Sequence, residues 1–201
     1  MARIGFYGGC FNPPTKAHII LAKKAIEKCE LEKVVFVPVG DLYQKEKLEK
    51  GTHRCAMLKI ACKDENRLEV SDIEVKDNKL YKAIDIFTLL RKLYKEDDIF
   101  FLMGADNLER LPLWTDSDIL IRDFKYIVFD RGEDTVERIL GNNNFFKGYE
   151  KKFTIIKNKQ YTNCSSTNIR EQIKNNITPD GINEEVYEYI RENNLYSLEI
   201  F

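Results

Sequence analysis

His18, Arg170 and one of the lysines Lys45, Lys47 and Lys50 are the side chains whose surroundings suit an anionic ligand. His18 follows Gly8-Gly9, the pair Pro13-Pro14, and Thr15. Glycines let the backbone approach a ligand with no side chain in the way. The proline pair forbids helix until Thr15, whose hydroxyl suits an N-cap. A helix starting there aims its unpaired N–H groups and its dipole at the glycine turn, which makes an anion site. His18, three residues past the cap, lies in the first helical turn as a cationic donor for the same spot. Further along, Ser165, Ser166 and Thr167 open a second helix, and Arg170 stands one turn above Ser166 and Thr167 on the same face. Hydroxyls, free N–H groups and a permanent cation make a second phosphate cradle. Either feature alone reads as a capped helix with a surface polar residue. Two in one chain point to phosphate chemistry.

The elements that must position these residues alternate in type. Arg3–Tyr7 is β-prone, and Ala17–Cys29 carries Ile20, Leu21, Ala25 and Ile26 at helical spacing. Lys33–Val39 is a near-continuous apolar run, as in a strand buried on both faces. Gly40-Asp41 then opens the charged loop DLYQKEKLEKGTHR. Its lysines are solvated surface by default. Their place beyond a strand's carboxyl end, where open α/β sheets bind ligands, favours one of them as a contact. His53–Cys62 predicts a helix with Met57, Leu58 and Ala61 inward and Arg54 projecting from its first turn. Leu68–Val75 predicts a third strand ending in the turn Lys76-Asp77-Asn78, and Tyr81–Tyr94 a helix. Asp98–Met103 is a buried strand closed by Gly104, with Asp106 and the loop pair Leu113-Trp114 after it. The tryptophan suits rim packing and stacking on a flat ring equally. Lys125–Phe129 and Phe153–Ile156 are further strands, and Glu133–Lys152 between them reads as an unpatterned surface excursion. Glu184–Asn193 is an amphipathic helix. Such alternation predicts an α/β, doubly wound parallel sheet. With no repeat or linker, residues 1–201 read as one domain whose helical C-terminal part starts at about 165.

Composition narrows the partners. The chain is 43% hydrophobic and 32% charged, with a net charge of −1. No basic stripe argues for nucleic acid, so the phosphate belongs to a small nucleotide. No signal-peptide pattern or membrane-spanning run argues for a membrane. Cys10, Cys29, Cys55, Cys62 and Cys164 lack CxxC spacing and read as reduced thiols of a cytoplasmic protein, with Cys10 filling a small-residue position.

The first motif is neither a dinucleotide GxGxxG nor a P-loop. Gly8, Gly9, Phe11, Asn12, Pro13, Thr15 and His18 resemble the G-[GS]-x-F-[DN]-P-x-[HT]-x-x-H signature of the nucleotidyltransferase superfamily. Ser165, Ser166, Thr167, Ile169 and Arg170 resemble its [IT]-S-S-T-x-[IF]-R motif, with Cys164 where Ile or Thr is usual. With PVGDLYQKEKL, THRCAML and LMGADNLERLPLW, the chain resembles nicotinamide/nicotinate mononucleotide adenylyltransferases almost end to end. The first motif, PVGDxYxKxxL and the C-terminal EEVYEYIRENNLYS look closer to the eukaryotic-type enzymes.

The resemblance implies the Rossmann-like nucleotidyltransferase fold and adenylyl transfer from ATP to nicotinamide or nicotinate mononucleotide. It implies Mg²⁺ carried on ATP rather than by protein ligands. His18, Gly8, Gly9, Cys10, Thr15, Ser165, Ser166, Thr167 and Arg170 would surround the ATP phosphates, and Gly104 and Asp106 the adenosine, with Asp106 on the ribose. Phe11, Asn12, Lys45, Tyr81, Leu113 and Trp114 would form the mononucleotide side, Lys45 on a phosphate and Leu113-Trp114 around the pyridine ring. His18, Lys45 and Arg170 would be catalytic. The chain offers no triad, activated cysteine or paired carboxylates. The mononucleotide phosphate would itself attack the α-phosphorus in line and expel pyrophosphate. Lys82 follows Tyr81 where bacterial members carry Tyr-Thr, and Ile73 or a neighbour stands where eukaryotic members often place Trp, so the choice of base stays open. Homo-oligomerisation stays open too. A pantetheine-phosphate adenylyltransferase or a cytidylyltransferase is the nearest rival, disfavoured by the GAD…LW stretch and the SSTxIR helix. A non-catalytic nucleotide-binding module predicts loss of His18 or Arg170, and both are present.

Overall fold

Alternation along the first strand sends Ile4 and Phe6 into one hydrophobic cluster and Tyr7 into another, on opposite faces of one sheet. The structure, a computed structural model, describes residues 1–77, 79–130, 132, 134–157 and 164–197. Its sheet comprises β1 (Arg3–Gly9), β2 (Lys33–Pro38), β3 (Leu68–Val70), β4 (Asp98–Gly104), β5 (Lys125–Asp130) and β6 (Phe153–Lys157). All pairings are parallel, in the order β3-β2-β1-β4-β5-β6. Helices α1 (Lys16–Lys28) and α2 (Gly51–Cys62) cover the Tyr7 face through Leu21, Ala25, Ile26 and Leu58. On the other face α3 (Ala83–Leu93), α4 (Ala105–Arg110), α5 (Ser117–Asp123) and α6 (Thr135–Asn142) insert Phe87, Leu108, Ile121 and Val136. Finally α7 (Ser166–Lys174) and α8 (Glu184–Glu192) pack Ile169, Val186 and Ile190 against Met57 of α2. This is the doubly wound α/β sheet expected from the alternation.

Strand order reverses between β1 and β4. The chain winds outward from β1 through β2 to β3, then returns to β4 and winds the other way. At such a switch point the connections diverge and leave a crevice beyond the carboxyl ends of the strands. The register pairing Tyr7 with Leu102 sets Gly9 and Gly104, the last residues of β1 and β4, at that crevice.

Several boundaries differ from the sequence reading. Gly8 and Gly9 finish β1 rather than form the turn, which begins at Cys10. Strand β3 stops at Val70, because the Asp72 carbonyl takes the N–H groups of Val75 and Lys76 (2.9 Å each) and winds the chain into a turn. The Lys76–Asn78 turn ends outside the described residues, at Asn78, as does Arg131. The segment expected to be an unpatterned excursion holds α6 and two 3₁₀ turns, Asn144–Phe146 and Glu150–Lys152. It is pinned by the buried side chains Val136 and Phe146. Asp130, also buried, starts α6 by accepting the N–H groups of Gly132 (2.9 Å) and Val136 (3.1 Å).

Arg54 is the main correction. It does not project from α2 but is 0% exposed, on the face it shares with Met57 and Leu58. Its Nε donates to the Glu49 carbonyl at 2.7 Å, Nη1 to Cys10 O at 3.1 Å, and Nη2 to Val39 O at 2.7 Å. Nη2 also pairs with Asp41 Oδ1 at 3.1 Å. The guanidinium thereby joins the loops that follow β1 and β2 to the start of α2. Replacing it by an apolar chain of similar length strands three inward carbonyls, at about 1–3 kcal/mol each. Arg54→Met is therefore expected to lose at least about 3 kcal/mol in urea unfolding, and a loss below about 1 kcal/mol would show that these carbonyls find other donors.

Candidate active site

The turn after β1 is shaped by an aromatic ring folded beneath it. Phe11 takes a φ of 47° and is buried, with ring centroids 5.5 Å from Tyr7, 5.3 Å from Phe36 and 5.1 Å from His18. A Cβ on Gly9 would lie 3.0 Å from that ring, a tight contact to which the ring would have to give way. Gly8 has open space at the corresponding point, and Cys10, half-buried, gives its carbonyl to Arg54.

Helix α1 opens with Thr15 as its N-cap and His18 at the third helical position. The Thr15 N–H donates to His18 Nδ1 at 2.9 Å, and the Thr15 hydroxyl lies 2.9 Å from the same nitrogen. A ring nitrogen that accepts a backbone N–H carries no proton, so the ring's proton sits on Nε2. In that contact Nδ1 is the acceptor, so the ring would donate to a ligand through Nε2. A second proton on Nδ1 would face the Thr15 N–H head-on.

The second motif docks directly onto the first. Ser165 caps α7, its Oγ accepting Asn168 N–H at 3.1 Å. The Ser166 hydroxyl donates to Pro13 O at 2.8 Å. Arg170 donates through Nη1 to Asn12 O at 2.7 Å and through Nη2 to Thr167 Oγ1 at 3.2 Å. A guanidinium carries five N–H groups, so these two bonds fix the arginine without using it up. Asn12 is the junction. It is 1% exposed, its Nδ2 donates to Lys47 O at 2.8 Å, and its Oδ1 accepts Glu49 N–H at 3.1 Å and the Tyr196 hydroxyl at 2.9 Å. The Asn12 amide is engaged by the protein at both ends.

Gly104 caps α4, and a Cβ there would collide with Asp106 Oδ1, so the carboxylate lies directly over the glycine at the switch point. Lys45 is exposed on the loop from Gly40 to Lys50. That loop is tied at one end by Asp41, whose Oδ1 accepts Gly51 N–H at 2.5 Å, and at the other by Asn12. The Tyr81 hydroxyl donates to Asp77 Oδ2 at 2.5 Å, and Lys79 Nζ sits 4.7 Å from the ring centroid. Leu113 is 83% exposed, while Trp114 is half-buried against the α3 side of the core. Lys45, Tyr81, Leu113 and Trp114 thus lie on connections that follow β2, β3 and β4. Among the described residues no hydrogen bond or ion pair joins their side chains to either phosphate motif, no three His, Cys, Asp or Glu converge as metal ligands, and no helix is long and apolar enough to cross a membrane.

Comparison with known proteins bears on this arrangement. Residues 6–172 match the cytidylyltransferase-like family. A "Probable nicotinate-nucleotide adenylyltransferase" of Clostridium acetobutylicum is 31% identical over 204 residues, covering 98% of this chain and 100% of its own. The chain belongs to the nicotinate-nucleotide adenylyltransferase family. A relative of the same description from Carboxydothermus hydrogenoformans is 32% identical, with 97% of this chain and 98% of its own aligned. The fold matches that of Plasmodium falciparum nicotinic acid mononucleotide adenylyltransferase, solved in complex with NaAD, with a TM-score of 0.83 at 21% identity and 98% of both chains covered. As in any adenylyltransferase, the groups that hold phosphate must be fixed relative to one another. In this member of the family, residues that the sequence reading did not single out do much of the fixing. Arg54, which that reading turned outward, could have been placed inward, since it stands three and four residues before Met57 and Leu58 on the buried stripe of α2. Tyr196 and Glu74 carry no such signal.

Glu74 is 9% exposed and lies against the start of the Lys45 loop, its Oε2 3.4 Å from Gly40 N. Burial pushes its carboxyl up from 4.5 to about 7, against the opposing pull of the Gly40 N–H and the Arg54 charge. A raised carboxyl means the folded state holds the proton more tightly. The stability due to that proton is full below about 4.5 and lost as the pH rises through about 7. Wild type should therefore lose up to about 3 kcal/mol relative to Glu74→Gln between pH 4.5 and pH 8. Parallel unfolding curves for the two chains across that range would refute the buried-acid assignment.

Proposed function

We propose that this chain transfers the adenylyl group of ATP to nicotinate mononucleotide, forming NaAD and pyrophosphate, as a single cytoplasmic unit spanning residues 1–201. The observation that carries the reading is the meeting of the two phosphate motifs, with Ser166 on Pro13 O and Arg170 on Asn12 O. Both helix N-termini then serve one triphosphate, with Gly8, Gly9, Cys10 and Thr15 on one side and Ser165, Ser166, Thr167 and Arg170 on the other. Asp106 takes the ribose hydroxyls beside Gly104. Lys45 holds the mononucleotide phosphate, Phe11 floors the pocket from the core, and Asn12 positions rather than touches the ligand. Tyr81, Leu113 and Trp114 enclose the pyridine base. Nicotinate as the base is supported by the names of the relatives, and nicotinamide mononucleotide is the substrate to compare with it.

The reaction needs no covalent intermediate. The mononucleotide phosphate is already an anionic nucleophile, so the protein's part is alignment and stabilisation of charge on the α-phosphate. His18 donates Nε2–H to an oxygen whose charge grows in the transition state, and its fixed Nδ1 contact keeps that donor aimed. Arg170 and Lys45 neutralise charge on either side. Mg²⁺, held by triphosphate oxygens and water, supplies further neutralisation when ATP is bound.

The reading is tested by pyrophosphate release from ATP and Mg²⁺ with nicotinate mononucleotide, nicotinamide mononucleotide or phosphopantetheine. Turnover is expected with nicotinate mononucleotide, and turnover with phosphopantetheine alone would overturn the reading. His18→Ala is expected to reduce kcat by roughly two to three decades, since one such donor contributes about 3–4 kcal/mol. His18→Asn can still accept the Thr15 N–H but has nothing at the Nε2 position. It should keep the parent's thermal midpoint yet lose activity to the same extent, and near-parental turnover would clear His18 of any role.

A further inference from the structure

The segment after α8 doubles back toward the first motif. Leu195 N–H donates to Ile190 O at 3.0 Å, and Asn194 and Tyr196 take φ values of 51° and 62°. A left-handed backbone is uncommon for a tyrosine and is held only where its surroundings over-determine it. Here the hydroxyl, half-buried with its ring, donates to Asn12 Oδ1 at 2.9 Å. Burial raises the phenol above its ordinary value, so it stays a donor throughout the working pH range.

That bond braces an amide whose orientation the loop backbone sets. Its oxygen meets two donors, the Tyr196 hydroxyl and Glu49 N–H, while its nitrogen meets one acceptor, Lys47 O. A flipped amide would set N–H against N–H and oxygen against oxygen. Lys47 and Glu49 end the loop that presents Lys45. Arg170, by contrast, bonds to the backbone carbonyl of Asn12, which the orientation of the amide does not affect.

We propose that Tyr196 is a positioning residue for the mononucleotide side of the reaction, its hydroxyl bracing the Asn12 side chain and the amide holding the loop that carries Lys45. The inference rests on the reading of Lys45 as a mononucleotide contact. It predicts a one-sided effect, on the mononucleotide and not on ATP.

Tyr196→Phe keeps the packed ring and removes only the hydroxyl. One hydrogen bond of this kind is worth about a three- to tenfold change in an equilibrium, so KM for nicotinate mononucleotide should rise by that factor. KM for ATP should stay within about twofold, and the thermal midpoint should confirm a folded chain. Lys45→Met should raise the same KM. Tyr196→Phe should then add nothing further in the Lys45→Met background, because both changes act through one contact. An unchanged mononucleotide KM in Tyr196→Phe, an equal rise for both substrates, or a full additive rise in the double variant would overturn the proposal while leaving the Lys45 reading intact. An unchanged KM in Lys45→Met would overturn the Lys45 reading and this proposal with it.

Discussion

The buried guanidinium of Arg54 is the constraint on which the carboxyl edge of the sheet depends. Carbonyls just past the ends of strands have left the sheet ladder, and burying them without a donor is costly. Cys10, Val39 and Glu49 bring three such carbonyls to one point, and Arg54 serves them all from α2. A planar fork of five donors can do this, whereas an ammonium on a flexible stem cannot match the spread of directions. The charge itself is balanced by carbonyl dipoles and by Asp41, which reaches it from the surface. A single side chain therefore sets the turn after β1, the end of β2 and the start of the Lys45 loop relative to one another.

Around that anchor the two motifs proposed to hold phosphate are joined to one another. The cap of α1 fixes the tautomer of His18, the cap of α7 seats Ser166 on Pro13, and Arg170 is tied to Asn12. Groups aimed and held in advance need no reorganisation as charge develops, and such preorganisation is the main lever a protein has in phosphoryl-type chemistry. The residues proposed to enclose the base are organised differently. Leu113 stands out in solvent, and Tyr81, at the rim of the core, bonds Asp77 through its hydroxyl with Lys79 beside its ring. Fewer tertiary contacts there leave room for the connections to adjust around a ring.

Much of this was legible in the residues alone where the signal is local. Thr15 and Ser165 mark their helix starts because a capping hydroxyl and the N–H groups it serves lie within one turn. The strands show as short apolar runs since both faces of a parallel sheet are covered. Local signals misled in two places. The alternation of LEVSDIEV runs on to Val75, yet the Asp72 carbonyl captured the following N–H groups and ended the strand at Val70. The stretch after β5 has too few apolar residues to show a period, but two of them, Val136 and Phe146, reach the core.

What the sequence by itself determined is the class of chemistry and the order of elements: a strand ending in two glycines, the two capped helices with a histidine and an arginine one turn in, and the alternation that makes a doubly wound sheet. These depend on neighbours within a few positions, and short-range sterics and periodicity report them. The tertiary structure alone decided which side chains hold the protein together. Arg54 turned inward, the Asn12 amide became a junction, and a tyrosine near the other end of the chain came to rest on it. Such roles arise when unpaired buried groups from distant segments must satisfy one another. No spacing along the chain records which segments will meet.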